Sequence, residues 1–134
     1  MAELKTKATK RSVEEYLNEL TLPKREDANV LIDLMKDITH ENPVMWGDSI
    51  VGFGAINLTY ASRRNIDYFL IGFAVRKSAI TLYLSIEVNR KVFDGLGKHT
   101  KGVGCLYIQK LADINLSELR LILEESVAVL KNRS

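Results

Sequence analysis

The chain lacks the features that stabilise small extracellular proteins or hold proteins in a membrane. It contains a single cysteine, Cys105, which excludes an internal disulfide. Its apolar runs are far shorter than the roughly 18 residues that a membrane-spanning helix needs. Residues 1–11 are charged and have no apolar centre, so they do not resemble a secretory signal. Together these absences predict a cytoplasmic protein with no membrane partner.

What is present is the composition of an ordinary globular domain. Of 134 residues, 46% are hydrophobic and 27% are charged, which excludes a disordered protein or a coiled coil. This length fits one domain, and no linker, internal repeat or low-complexity tract divides the chain after residue 11. We therefore predict a flexible basic tail over residues 1–11 and a single domain over residues 12–134.

Charge is nearly balanced overall, at +2, but it is unevenly distributed along the chain. Residues 12–60 carry nine acids and three bases, whereas residues 61–110 carry nine bases and three acids. Each region acts on charged partners locally. The distribution indicates either an acidic and a basic surface with separate functions, or simply acidic helix surfaces and basic loops.

Three helices are predicted from capping signals and apolar periodicity. Ser12 with Glu15, and Asn115 with Glu118, have the spacing of capping boxes at helix starts. Pro23 suits the first turn of a second helix, because the missing N–H is not needed there. Apolar residues then recur at helical spacing. The predicted helices span residues 12–20, 24–40 and 115–131.

Between these helices the pattern changes to that of strands. Apolar residues alternate with polar ones, and short turns separate successive segments, which indicates antiparallel neighbours. The predicted strands span residues 45–53 (with a bend), 56–60, 68–75, 80–86 and 104–109, with a short helix over 89–96 and a loop over 97–102. We predict an α+β fold: a mostly antiparallel sheet of four to six strands, with two N-terminal helices and one C-terminal helix.

The glycine-rich segment 95–104 resembles a phosphate-binding loop but fails both common patterns. Lys98 is followed by His99 rather than Ser or Thr, and Thr100 stands where a dinucleotide fingerprint needs its third glycine. Lys98, His99 and Lys101 still place positive charge among glycines, which suits an anion. The alternative is a loop that needs glycine only for its turns.

The sequence contains no strong catalytic, metal-binding or nucleic-acid-binding motif. His40 and His99 have no cysteine or carboxylate at metal-ligand spacing, and the aromatic residues do not form an RNA-recognition pattern. Cys105 is interpreted first as a buried, unreactive thiol, although nearby lysines would make it reactive by lowering its pKa. We therefore expect no cofactor and no nucleic-acid partner.

Our main hypothesis is a binding module that accepts a small anionic ligand in a cleft on the sheet. Such pockets combine apolar walls with a few placed polar groups. The predicted walls are Trp46, Tyr60 and Tyr83; the predicted charged groups are Arg76, Lys77, Lys98 and His99; the predicted orienting groups are Ser49 and Asn57. Arg76 and Lys77 lie at a predicted hairpin tip, which the fold can bring to the same edge of the sheet as Lys98 and His99.

Five segments together resemble the YdhG-like family, a widespread bacterial domain of unknown function. They are PVMWGDSIVGFG (43–54), GFAVRK (72–77), ITLYL (80–84), LGKH (96–99) and GVGCLYI (102–108). The resemblance extends over about residues 12–131, and it implies an α+β domain with an antiparallel sheet. One branch of the family is described as a frataxin-like iron chaperone, a role that would use acidic residues.

Two alternative functions follow. The first is an iron-binding chaperone that uses acidic side chains of the first two helices, since hard cations prefer oxygen ligands. Those side chains are Glu14, Glu15, Glu19, Glu26, Asp33 and Asp37. The second is an enzyme in which Cys105 or His99 is the reactive group. The sequence favours a binding module over an enzyme, and it is compatible with a monomer or a homodimer.

Overall fold

A computed structural model describes residues 12–47, 49–54, 56–59, 65–84, 93–102 and 105–131. The predicted basic tail, residues 1–11, lies outside this part of the chain. The described residues form three α-helices, eight strands and a 3₁₀ turn at Leu111–Asp113.

The helices begin close to where their capping signals predict. The described helices are α1 (Val13–Asn18), α2 (Leu22–Thr39) and α3 (Leu116–Lys131). The Ser12 hydroxyl accepts a hydrogen bond from the Glu15 N–H at 3.3 Å, and the Asn115 side-chain oxygen accepts one from the Glu118 N–H at 3.1 Å. Both predicted helix starts are therefore confirmed, and each cap satisfies an N–H that has no partner within the helix.

Six of the described strands form one antiparallel sheet. The strands are β1 (Pro43–Trp46), β2 (Ile50–Phe53), β3 (Ile56–Thr59), β4 (Asn65–Tyr68), β5 (Ile71–Val75), β6 (Ile80–Tyr83), β7 (Thr100–Gly102) and β8 (Cys105–Ile108). The order in the sheet is β1-β2-β5-β6-β8-β7, while β3 and β4 pair separately with each other. This arrangement confirms the predicted α+β class.

The predicted bent strand over residues 45–53 is in fact the hairpin β1–β2. Trp46 pairs with Ile50, so the chain turns back between these two residues. Gly47 has φ +66° there, a left-handed conformation that glycine adopts without steric penalty. Apolar residues on both sides of this glycine made the segment resemble a single strand.

Two further boundaries differ from the prediction. The apolar run over residues 68–75 contains the end of β4 and all of β5, because Phe69 and Leu70 belong to neither strand. A continuous apolar run carries no alternation that would mark such a break. Likewise, the predicted loop over 97–102 includes β7, which exists through its pairing with β8 rather than through its own composition. The first half of the predicted helix over 89–96, residues 89–92, lies outside the described residues.

The main core lies between the helices and one face of the sheet. Strand side chains alternate between faces, and those that contact the helices define what we call the helix face. Its fully buried residues include Leu31 and Met35 of α2, Leu119 of α3, and Phe73 and Leu82 of the sheet. The opposite face, here called the second face, carries a separate apolar cluster, and the candidate site lies there.

Candidate functional site

Two rows of side chains cross the second face. Strand register aligns Gly72 with Tyr83 and Tyr83 with Cys105 in one row, and it aligns Ala74 with Thr81 and Thr81 with Tyr107 in the next. Ala74 and Thr81 are buried, Tyr83 and Cys105 are half-buried, and Tyr107 is 37% exposed. Between β5 and β8, the accessible part of this face is therefore formed by Tyr83, Cys105 and Tyr107, and we call this part the accessible half.

Glycines in β2 and β5 let aromatic rings lie directly on the sheet. A Cβ atom at Gly52 would stand 2.5 Å from Cδ1 of Trp46, and one at Gly72 would stand 3.1 Å from Cε1 of Phe69. Trp46 and Phe69 meet edge to face with ring centroids 5.5 Å apart. Phe69 meets Tyr83 in the same way at 6.0 Å. The glycines thus make room for a row of three rings that leads to the accessible half of the second face.

Arg76 is anchored at the end of this aromatic row. Its Nη1 donates a hydrogen bond to the Ser49 hydroxyl at 2.6 Å, and its Nη2 donates one to the Tyr83 hydroxyl at 2.8 Å. Ser49 belongs to the β1–β2 connection, whereas Arg76 begins the turn between β5 and β6. The guanidinium is therefore held across three strands, and among the described residues its remaining N–H donors have no partner.

The backbone of the turn that carries Arg76 is held from the helix side. The Val75 N–H donates to the Tyr16 hydroxyl at 2.9 Å. Lys24 Nζ donates to the carbonyl oxygens of Arg76 and Lys77, at 3.3 and 3.2 Å. Tyr16 and Lys24 were not predicted from the sequence, because their role depends on contacts with residues more than 50 positions away.

The site is positively charged and contains no compensating acid in the part of the chain that the structure describes. Both described side-chain partners of Arg76 are hydroxyls, and no described carboxylate forms an ion pair with it. A hydroxyl orients a guanidinium without neutralising it. Arg76 therefore presents an oriented positive charge beside the accessible half of the second face.

The other predicted cations lie elsewhere. Lys98 and His99 precede β7, which is three strand spacings, or roughly 14 Å, from β5. The His99 ring lies 5.9 Å from the Phe93 ring, and Phe93 belongs to the core on the helix face. The Lys98 N–H donates to the carbonyl oxygen of Asp113 at 3.2 Å. The structure thus does not place Lys98 or His99 beside Arg76.

The remaining predicted site residues have different surroundings. Trp46 is only 5% exposed, so it supports the site from beneath rather than lining an open wall. Lys77 follows Arg76 in the turn and is exposed. Tyr60 and the side chain of Asn57 lie outside the described part of the structure. The structure therefore brings together Trp46, Ser49, Arg76 and Tyr83 of the predicted set.

Cys105 and Tyr107 are neighbours on the second face. Cys105 is half-buried, whereas the first interpretation from the sequence is a buried thiol. It raises the pKa of the Tyr107 hydroxyl, first through repulsion between the two anionic forms and second through a hydrogen bond, with desolvation and Tyr83 adding to the effect. Tyr107 was missed in the sequence, although its position two residues after Cys105 in an alternating strand indicates the same face.

The two groups proposed for an enzyme are not paired. Cys105 lies on the second face, in register with Tyr83. His99 contacts Phe93 in the core on the helix face, and its Nδ1 lies 2.6 Å from the carbonyl oxygen of Gly97. With the sheet between them, these two side chains do not form a nucleophile–base pair.

The acidic surface of α2 shows no assembled metal site in the described residues. No group of three or more His, Cys, Asp or Glu side chains there is placed to hold a metal ion. Near the end of α2 lies an open depression of about 450 Å³, lined by Asp33, Lys36, Asp37, His40, Glu41 and Asn42. Asp37 forms an ion pair with Arg120 and raises the pKa of that guanidinium through their hydrogen bond. The lining thus contains both signs of charge.

Comparisons of the chain with protein-family models, with curated proteins and with solved structures find no match. Among the described residues, no helix is both long and apolar enough to cross a membrane.

Proposed function

We propose that this protein is a binding module of the cytoplasm that accepts a small anionic ligand at Arg76 on the second face of the sheet. The observation that carries the proposal is the anchoring of the Arg76 guanidinium by the hydroxyls of Ser49 and Tyr83. These partners hold the charge in place without neutralising it.

An anion at this position gains charge-assisted hydrogen bonds from a guanidinium that is already oriented. The positions of the guanidinium and of its turn are already fixed by contacts with β1–β2, β6, α1 and α2. A charge-assisted hydrogen bond contributes roughly 1.5–3 kcal/mol when partly desolvated and much less when exposed. Because Arg76 is exposed, we expect weak, salt-sensitive binding of a simple anion.

The five segments that resemble the YdhG-like family support a second part of the proposal, the family to which the chain belongs. We propose that the chain is a YdhG-like domain and that it acts as a monomer or a homodimer. The iron-chaperone and enzyme alternatives gain no specific support from the described residues, since the acidic helices lack a grouped ligand set and Cys105 and His99 lie on opposite faces of the sheet.

Thermal unfolding in low salt tests the proposed site. Phosphate or acetate should raise the melting temperature of the protein, because a ligand at ten times its Kd adds about 1.4 kcal/mol, or roughly 4–6 °C for a domain of this size. Arg76→Gln should abolish the shift. The matched control Lys98→Gln removes the same charge at a position remote from Arg76 and should retain the shift.

Two results would contradict the proposal. If Arg76→Gln responds to both anions as the unmodified protein does, the anion site lies elsewhere. If neither anion changes the melting temperature at millimolar concentration, Arg76 serves only to hold β2, β5 and β6 together.

A further inference from the structure

The number of positive charges near Arg76 limits the charge of its ligand. In the described part of the second face, Arg76 is the only cation whose side chain is hydrogen-bonded to the sheet, and Lys77, the next residue in the turn, is exposed. Lys24 lies on the helix side, where two backbone carbonyl oxygens accept hydrogen bonds from its ammonium group. Lys98 is three strand spacings away. One oriented guanidinium favours a ligand with one negative charge, and its planar set of donors suits a carboxylate.

An accessible apolar surface begins immediately beside this charge. The Tyr83 hydroxyl accepts a hydrogen bond from Arg76, while its ring lies on the sheet next to Cys105. Tyr107 is the diagonal neighbour of Tyr83, and diagonal neighbours across antiparallel strands are roughly 7–8 Å apart. Tyr83 also contributes to the raised pKa of Tyr107, which is consistent with this proximity.

The three side chains that form this surface are Tyr83, Cys105 and Tyr107. Each is half-buried or exposed, so each has surface left to cover. Their span of roughly 7–8 Å matches a short acyl chain or a single ring rather than a long lipid. A bare inorganic anion at Arg76 would leave this apolar surface in contact with water.

We infer that the ligand is a monocarboxylate with a short apolar body, whose carboxylate binds Arg76 and whose body covers Tyr83, Cys105 and Tyr107. This inference rests on the proposed function, because it assigns a ligand class to the same site. Tyr107 then determines specificity for the length of the apolar body, because it contacts that body and not the carboxylate.

A series of unbranched carboxylates tests the inference by calorimetric titration. Acetate, butanoate and hexanoate carry the same charge and differ only in apolar length. Each added methylene should lower Kd about two- to fourfold, according to how completely it is buried. Inorganic phosphate, which has no apolar body, should bind no more tightly than acetate at neutral pH.

Three variants locate the contacts. Arg76→Gln should raise the Kd of every carboxylate at least tenfold. Tyr107→Thr keeps a strand-forming residue and should abolish most of the chain-length dependence. The matched control is Val44→Thr, because Val44 is 41% exposed on the second face but lies in β1, four strand spacings from β8. This control should retain the full dependence.

The outcomes separate this inference from the proposed function. If acetate binds through Arg76 but hexanoate binds no more tightly, the proposed function stands and the ligand class is wrong. If the chain-length dependence survives in Tyr107→Thr, the apolar body lies elsewhere and the inference fails. If neither acetate, hexanoate nor phosphate binds, both proposals fail.

Discussion

Arg76 donates a hydrogen bond to the hydroxyl of Tyr83 at 2.8 Å, so the first residue of the β5–β6 turn is tied to the last residue of β6. The two residues are separated by the whole length of that strand. The arginine must therefore fold back over the second face, where it also reaches Ser49. These two hydrogen bonds hold the Arg76 guanidinium in one orientation on the sheet, where the side chain would otherwise extend from the turn.

Tyr83→Phe should weaken both stability and anion binding. The substitution keeps the ring that contacts Phe69 but removes the hydroxyl acceptor for Arg76. We expect a loss of about 0.5–1.5 kcal/mol in the free energy of unfolding, measured by urea denaturation. Anion titration should show weaker binding, because Arg76 loses one of its two described side-chain anchors. Tyr107→Phe removes a hydroxyl that does not bond to Arg76 and serves as the control; an equal loss of anion binding there would contradict this explanation.

Gly72→Ala should destabilise the domain through a backbone clash. A Cβ atom at this position would lie 2.7 Å from the carbonyl oxygen of Val51 and 3.1 Å from the Phe69 ring. Because strand pairing fixes the carbonyl, we expect a loss of about 1–3 kcal/mol in the free energy of unfolding. Denaturant unfolding measures it.

Gly95→Ala provides the comparison for that prediction. A Cβ atom at Gly95 would lie 3.2 Å from a carboxylate oxygen of Glu118, the far end of a flexible side chain. We expect a change within about 0.5 kcal/mol there. Equal losses at Gly72 and Gly95 would show that close packing on the second face is not the cause.

Cys105→Ala should lower the pKa of Tyr107 toward its ordinary value. Repulsion from the Cys105 thiolate is the largest cause of the raised pKa, and the hydrogen bond between the two side chains is the second. Removing the sulfur removes both causes, so the tyrosine should lose its proton at lower pH than in the unmodified protein. Ultraviolet difference titration measures phenolate formation, and Tyr107→Phe identifies which of the five tyrosines is responsible. An unchanged titration curve in Cys105→Ala would contradict the assigned cause.

The helices were predictable because their signals are local. The Ser12 and Asn115 caps act on N–H groups three residues away, and the apolar periodicity that follows lies within the same segment. The α+β class followed from the same local patterns, since short turns between alternating segments imply antiparallel strands. The grouping of Ser49, Arg76 and Tyr83 as candidate residues was also possible, because each is a polar or aromatic residue near a predicted turn or strand end.

Strand boundaries and the composition of the site depended on pairing between distant segments. The three-residue strand β7 forms because β8 supplies its hydrogen-bond partners, and the division between β4 and β5 depends on two different pairings. Lys98, His99 and Arg76 are all basic residues near turns, and nothing local in the sequence distinguishes their positions. Strand order separates β7 from β5, and core packing holds His99 against Phe93, so the tertiary structure alone leaves Arg76 beside Tyr83 without Lys98 and His99. The physical reason is that backbone hydrogen bonds and side-chain packing between remote strands decide which face and which edge a residue occupies.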